Sequence, residues 1–282
     1  MPDTLPNAPY HRITHGQLTV EGWSRAGVQT YWRIPELRVG FDIGAAAWDF
    51  LHTPTIFISH AHLDHLASLP VFLARRAMMK LPPPTIAVPN EVLDDVRAML
   101  DIWRRLDKGP QDGTLIGMAP GDRLPLTGTQ YVTAFAAVHT VPARGYVVWE
   151  TRHKLKPEYA ALPADEIRRL KETGATLTAE TAVPLLCYTG DTSAAGWEND
   201  SAVFTAKILI TEMSFAREEH SRDRIRAFGH THLDDFAENA DRFQNELIIA
   251  AHVTTRDEPG QFREWAKAKL PASLFDRLRI WE

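Results

Sequence analysis

The sequence predicts an α/β fold, and three observations carry that prediction. Short apolar or alternating runs interleave with helix-period segments along the chain. At 282 residues and 44% hydrophobic content, the chain can bury a full core. Residues able to bind a metal follow one predicted strand after another, as ligands do at the carboxyl ends of strands in α/β sheets. The expected organisation is one domain over 1–282 with an inserted arm at about 151–180.

Apolar or alternating runs predict strands at 18–23, 28–34 and 37–41. The run Thr55-Ile56-Phe57-Ile58 predicts the next, and strands follow at 85–88, at the alternating 131–138 and at 146–149. Later strands are expected at 184–188, 208–210 and 247–250. Helix-period segments fall at 66–79, from an Asn90 cap to 106, and at 165–172, 234–244 and 261–269. The sequence has no repeats and no low-complexity tracts.

Ile58-Ser59-His60-Ala61-His62-Leu63-Asp64-His65 places three imidazoles and a carboxylate within six positions, directly after a strand. On an extended loop His60 and His62 point to one side, while Asp64 and His65 fall where a helix starts and face elsewhere. One loop can therefore feed two metal ions. His139 follows the 131–138 strand, Asp191 the 184–188 strand and His252 the 247–250 strand, while Asp42 ends another. Convergence on one rim assigns His60, His62 and His139 to one metal and Asp64, His65 and His252 to a second, with Asp191 bridging. Asp42 is expected to orient ligands rather than to touch a metal. Such a pair of divalent ions, zinc first, with manganese or iron also accepted by His/Asp ligation, activates water for in-line displacement at a phosphodiester.

The remaining composition narrows the setting. A single cysteine, Cys187, excludes an intramolecular disulfide and sits in an apolar run, as a small core residue does. No apolar run reaches the roughly 20 residues of a membrane helix, and residues 1–5 lack the pattern of a signal peptide, so a cytoplasmic protein is expected. The net charge of -5 argues mildly against a polyanion partner. Over 144–172, however, seven Arg/Lys face five Asp/Glu, leaving -7 for the rest of the chain.

The pattern His60-x-His62-x-Asp64-His65, then His139, Gly190-Asp191-Thr192 and His252, resembles the metallo-β-lactamase superfamily. Within it, Phe41-Asp42-Ile43-Gly44, Gly145-Tyr146-Val147-Val148, Lys154-Leu155-Lys156-Pro157-Glu158-Tyr159 and Gly229-His230-Thr231-His232-Leu233 resemble short-form ribonuclease Z, the transfer-RNA 3′-processing endonuclease, especially its plant-like type. The resemblance implies an αββα four-layer sandwich, a homodimer, and cleavage of precursor tRNA that leaves a 3′ hydroxyl. It implies that Asp64 doubles as general base, that His230 and Glu212 manage the leaving-group proton, and that the arm with Lys154, Lys156, Arg168 and Arg169 grips the tRNA. Arg256, four positions after His252, is a further expected substrate contact.

Three departures from that family stand out. Thr211-Glu212-Met213-Ser214 replaces His-Glu-Ala-Thr, no lysine- and arginine-bearing loop is evident between Gly22 and Ile43, and Asp257 replaces a tyrosine. With the net charge, Thr211 keeps a second expectation in view, a hydrolase of small phosphodiesters, sulfate esters, lactones or thioesters on the same metals. That reading asks for a closed aromatic pocket near His139, with Trp23, Trp32, Trp149 and Trp197 as candidate linings. The echo at His230-Thr231-His232-Leu233-Asp234-Asp235 ends in Asp235 and opens a helix, so it predicts a rim position for His230 rather than another metal site.

Overall fold

The computed structural model describes residues 8–258 and 260–281. The signal-peptide reading of residues 1–5 lies outside the described residues. Fourteen strands among the described residues form two seven-stranded sheets. The first runs in chain order: β1 (His11–His15), β2 (Leu18–Arg25), β3 (Gln29–Ile34), β4 (Val39–Ile43), β5 (Thr55–Phe57), β6 (Thr85–Pro89) and β7 (Thr114–Met118). The second contains β8 (Arg123–Pro125), β9 (Gln130–Ala136), β10 (Arg144–Leu155), β11 (Thr178–Tyr188), β12 (Ile208–Glu212), β13 (Leu247–Ala251) and β14 (Leu278–Ile280). Its strands too lie side by side in chain order.

Side-chain alternation explains the layers. On β5, Phe57 points into the core between the sheets while Ile56 meets the outer helices; on β12, Ile208 and Ile210 face inward and Leu209 outward. Both faces of the central strands are buried, so these strands read as continuous apolar runs. Helices α1 (Leu63–Leu66), α2 (Leu69–Met78) and α3 (Leu93–Asp107) cover the first sheet through Leu66, Phe72, Leu73, Val96 and Leu100. Helix α4 (Ala164–Glu172) projects on the arm. Helices α5 (Ala202–Thr205), α6 (Arg222–Ala227), α7 (Leu233–Glu238), α8 (Gln261–Lys269) and α9 (Ala272–Phe275) follow, and α5, α7, α8 and α9 pack on the second sheet. The result is the αββα sandwich.

Several elements differ from their expected extents. The helix expected at 66–79 is two helices, because Pro70 has no N–H to continue the hydrogen-bond ladder and stands in the first turn of α2. That expected at 234–244 ends at Glu238, where the Asn239 side chain donates to the Asp235 carbonyl in competition with the backbone. The strand expected at 37–41 is shifted to Val39–Ile43 behind a 3-10 turn, which carries Asp42 inside β4. Strands β10 and β11 are much longer than expected, and a bulge between Val148 and Trp149 accommodates Pro184. Beyond Glu150 and Val183 the two strands pair only with each other, a ribbon that leaves the sheet and carries α4. Cys187 is buried on β11, and burial pushes its thiol up, as a core residue requires.

A candidate two-metal centre

Strands β9, β11, β12 and β13 run in one direction, so the segments after them share one rim, and the loop after β5 meets them across the sandwich. His60 Nε2 lies 3.0 Å from His62 Nδ1, which is 3.2 Å from His139 Nε2. Beside this trio, His252 Nε2 approaches Asp191 Oδ2 at 3.1 Å and Asp64 Oδ2 at 3.5 Å. His65 Nε2 is 3.5 Å from Asp191 and 3.6 Å from Asp64. Asp191 Oδ2 also faces His60 Nε2 at 3.9 Å, which puts this carboxylate between the two groups. All seven residues expected as ligands are therefore brought together.

The donor set fits divalent metal ions. His65 Nε2 and His252 Nε2 are buried with no well-aligned hydrogen-bond partner among the described residues, a cost of about 1–3 kcal/mol each unless a cation takes the lone pair. Ligand nitrogens about 3.0–3.4 Å apart are also what a tetrahedral site with bonds of about 2.0–2.1 Å produces. Burial, with the neighbouring imidazoles, holds His60 well below the ordinary histidine value and lowers His62 and His139, so these rings are neutral donors. Burial opposes ionisation of Asp64 and Asp191. The approach of His252 and the charge of His65 outweigh it at Asp64, held at about 2, and the charges of His252 and His65 do so at Asp191, held well below the carboxylate range. Burial lowers His65, but Asp191 and Asp42 raise it further, to well above the ordinary value.

Around these residues lies a ring of supports. Asp42 accepts from Ser59 N at 2.6 Å, Ser59 Oγ at 2.7 Å and the Tyr188 hydroxyl, and pairs with His65 Nδ1 at 2.7 Å. Ser59 Oγ also meets His60 Nδ1 at 2.9 Å, so one carboxylate orients two rings. Two glycines allow the close packing. A Cβ on Gly44 would sit 1.9 Å from the Asp64 carbonyl oxygen, and Gly229, at φ 72, would carry one 2.5 Å from His139 Cα.

Glu212, at the end of β12, pairs through both oxygens with His230 Nδ1 at 3.1 Å and accepts from Thr192 N at 2.7 Å and Ser214 Oγ at 2.5 Å. Ser214 Oγ continues to His252 Nδ1 at 3.1 Å. Burial lowers His230, but the Glu212 carboxylate outweighs it and raises the imidazole to about 9. Thr211 is not part of this dyad: its hydroxyl is buried against Thr189 Oγ1 at 3.0 Å. The neighbouring His232 caps α7, its Nδ1 accepting from Asp234 N, and is buried.

The expected substrate contacts divide. Arg256 stands at a cavity beside the centre, whereas Lys154 and Lys156 lie on the ribbon and Arg168 and Arg169 on α4, away from the cluster. Asp257, in place of a tyrosine, is buried and accepts from Arg217 Nε at 2.5 Å, which anchors the loop holding Arg256. The stretch from Gly22 to Ile43 forms β2, β3 and β4, and its short turn closes on the site through Gly27 N, which donates to Asp64 Oδ2 at 2.9 Å. None of the four tryptophans lines the cavity near His139: Trp32 and Trp197 are core residues, Trp149 donates to Thr133, and Trp23 packs with Tyr31 and Phe50. Ser59, Ser214, Tyr188 and the Gly27 amide were not expected at the site. Isolated hydroxyls and a turn amide leave no spacing signal.

A family described as "Beta-lactamase superfamily domain" matches residues 45–253. The chain is 33% identical over 261 residues to the tRNase Z TRZ1 of Arabidopsis thaliana, covering 92% of this chain and 93% of that protein. It is 41% identical over 164 residues to the nuclear ribonuclease Z of Triticum aestivum, covering 56% of this chain and 90% of that one. The solved structure of human tRNase Z, short form, superposes with a TM-score of 0.53 at 18% identity, covering 86% of this chain and 88% of that chain, a likeness of fold. The chain belongs to the β-lactamase superfamily and, within it, to the tRNase Z or ribonuclease Z proteins.

Proposed function

We infer that the protein is a metal-dependent endoribonuclease that removes the 3′ trailer of precursor tRNA. The observation that carries this is the joint presence, in a chain like tRNase Z over nearly its whole length, of a seven-residue His/Asp cluster and a His–Glu pair at its edge. His60, His62 and His139 would hold one ion and Asp64, His65 and His252 a second, with Asp191 shared. When bound, such ions would activate water and offset charge on the phosphate. Asp64 accepts the proton of the attacking water, the oxygen of which bonds to phosphorus. The bond from phosphorus to the 3′-oxygen breaks, and that oxygen takes its proton from His230, held protonated by Glu212. The tRNA keeps a 3′ hydroxyl and the trailer leaves with a 5′ phosphate.

Zinc is the proposed metal, because three imidazoles at one position suit its tetrahedral preference; manganese or iron would also be accepted. We place the protein in the cytoplasm; no helix among the described residues is long and apolar enough to cross a membrane. A homodimer is part of the same reading, supported by exposed apolar side chains at Leu63, Val71, Met78, Ile102, Trp103 and Leu106 on α1 to α3. The arm is read as the tRNA grip, and its tip supports this: α4 buries no side chain, and Lys154, Arg168 and Arg169 are exposed. The cavity beside His139 has the aromatic side chains that the small-molecule alternative asks for, but Arg224 and Arg256 also line it, and their charge suits a phosphate better than an acyl chain.

The test is cleavage of a precursor tRNA with a 3′ trailer by zinc- or manganese-loaded protein, with bis(p-nitrophenyl) phosphate in parallel and Asp64→Ala as control. Cutting at the trailer junction, lost in Asp64→Ala, is expected. Turnover of the small diester alone would assign the centre to a smaller substrate.

A further inference from the structure

The cavity beside the centre has a composition that the hydrolytic chemistry does not use. It encloses about 640 Å³, and its floor is His62, His139 and His230. Its wall is aromatic: Phe215 meets His220 edge-on at 5.2 Å and His230 at 6.1 Å, with Ile225 buried behind and Phe228 opposite, 53% exposed despite its apolar ring. At the mouth, Arg224 lies 5.7 Å from the Phe228 ring, and neither its guanidinium nor that of Arg256 has an ion pair among the described residues, whereas nearby Arg217, Arg222 and Arg226 are all paired.

Each feature answers to one part of a nucleotide. Unstacked bases of single-stranded RNA lie on aromatic side chains, and unpaired guanidiniums receive flanking phosphates. The position of the cavity also fixes which nucleotide. In-line displacement sets the attacking and leaving oxygens on opposite sides of phosphorus. The cavity is lined by His230, the proton donor to the leaving 3′-oxygen, and not by Asp64, the base for water. The nucleotide in the cavity is then the one that owns the leaving oxygen, immediately 5′ of the cut.

We propose that Phe215 and Phe228 form a pocket that stacks the last base of the mature tRNA, and that this pocket, with Arg224 and Arg256 on the adjacent phosphates, sets the cleavage position. The proposal rests on the endonuclease reading above. It makes register a matter of one bound base beside the centre, independent of the distant arm.

The experiment compares kcat/KM for a precursor tRNA with an intact base 5′ of the cut and for the same RNA abasic there. A third RNA is abasic at the first trailer nucleotide. The wild-type protein should lose on the order of tenfold or more on the first abasic RNA and little on the other, the size of one base–aromatic stack. Phe228→Ala should lose a similar factor on intact RNA and show less than about a twofold further penalty from the abasic site, while Phe228→Tyr restores both. Phe228 is exposed, so the variant is expected to fold, and circular dichroism and metal content check this. A wild-type protein indifferent to the base, a Phe228→Ala penalty equal to wild type, or a penalty only at the trailer nucleotide overturns the proposal. If wild type cuts no precursor tRNA yet hydrolyses bis(p-nitrophenyl) phosphate, the endonuclease reading has failed and the pocket falls with it, a pattern distinct from the others.

Discussion

Asp42 and His252 both hold backbone angles in the left-handed region, at φ 55 and φ 59, where side chains other than glycine are uncommon. Such residues cost about 1–3 kcal/mol and persist where surroundings over-determine them. Three donated hydrogen bonds and the His65 pairing do so at Asp42. Asp42→Asn should present an amide N–H to His65 Nδ1 and turn the ring. A fall of about 10- to 100-fold in metal affinity is expected by titration against a chelator, and unchanged affinity would remove Asp42 from this role. His230→Ala should leave metal content intact while lowering turnover by about 10² or more, if His230 is the proton donor proposed above and not a ligand. Unchanged turnover would take His230 out of the mechanism. The residues of the His/Asp cluster were legible in the sequence because they follow strands, and strand ends converge. Ser214 was not: the hydroxyl that links His252 to Glu212 has a role only once β12 and β13 lie side by side.

Helix α7 fixes the loop that presents His230. Its capping box joins Asp235 to His232 N at 2.9 Å, and Asp235 also accepts from Arg222 at 2.7 Å and Arg226 at 2.8 Å. Burial alone would raise the Asp235 carboxyl, but the hydrogen bonds from Arg226, His232 N and Arg222 outweigh it, and the folded value is depressed. A depressed carboxylate contributes stability above its unfolded pKa of about 3.9, lost as pH falls through the folded value. Asp235→Asn should therefore cost about 1–2 kcal/mol at neutral pH, a figure kept low because Arg226 is 45% exposed, and the gap from wild type should close below about pH 4 in denaturant titrations. A gap that persists at low pH would count against this account. The arm is the other element with its own test. Neutralising Lys154, Lys156, Arg168 and Arg169 together should raise KM for precursor tRNA and flatten its salt dependence, since a phosphate that meets no protein cation keeps its condensed counterion instead of releasing it. Equal salt slopes in variant and wild type would deny the arm its role. Elements with both faces buried were the most legible. The outer strands β1, β7, β8 and β14 were not expected, because at sheet edges or on three residues the polar and apolar positions do not alternate strongly enough to register.

At the scale of the molecule, -7 of formal charge lies outside the segment 144–172 and +2 within it. If the arm binds tRNA as proposed, this asymmetry would help to steer the polyanion towards the ribbon and α4. The cluster also joins the two sheets: His60, His62, Asp64 and His65 follow β5, while His139, Asp191 and His252 follow β9, β11 and β13. Metal that binds only the folded chain stabilises it by about 2.7 kcal/mol at a free concentration one hundred times Kd. Chelation should accordingly lower Tm by several degrees, and readdition should restore it; an unchanged Tm would show that the sheets dock without help from the site. An α/β fold was readable from the apolar runs of the central strands, whereas the four-layer sandwich came only with the family resemblance, because a run buried on both faces does not say which layer covers it.

The division of the cluster between the two sheets also orders events during synthesis. The four residues after β5 leave the ribosome while His139, Asp191 and His252 are still untranslated, and each candidate metal position takes its third ligand from the later group. A nascent chain is thus a poor scavenger of metal until residue 252 has emerged and the second sheet has closed on the first. Capture of the second ion would then mark completed assembly, since a chain stopped short of His252 lacks one candidate ligand of that position.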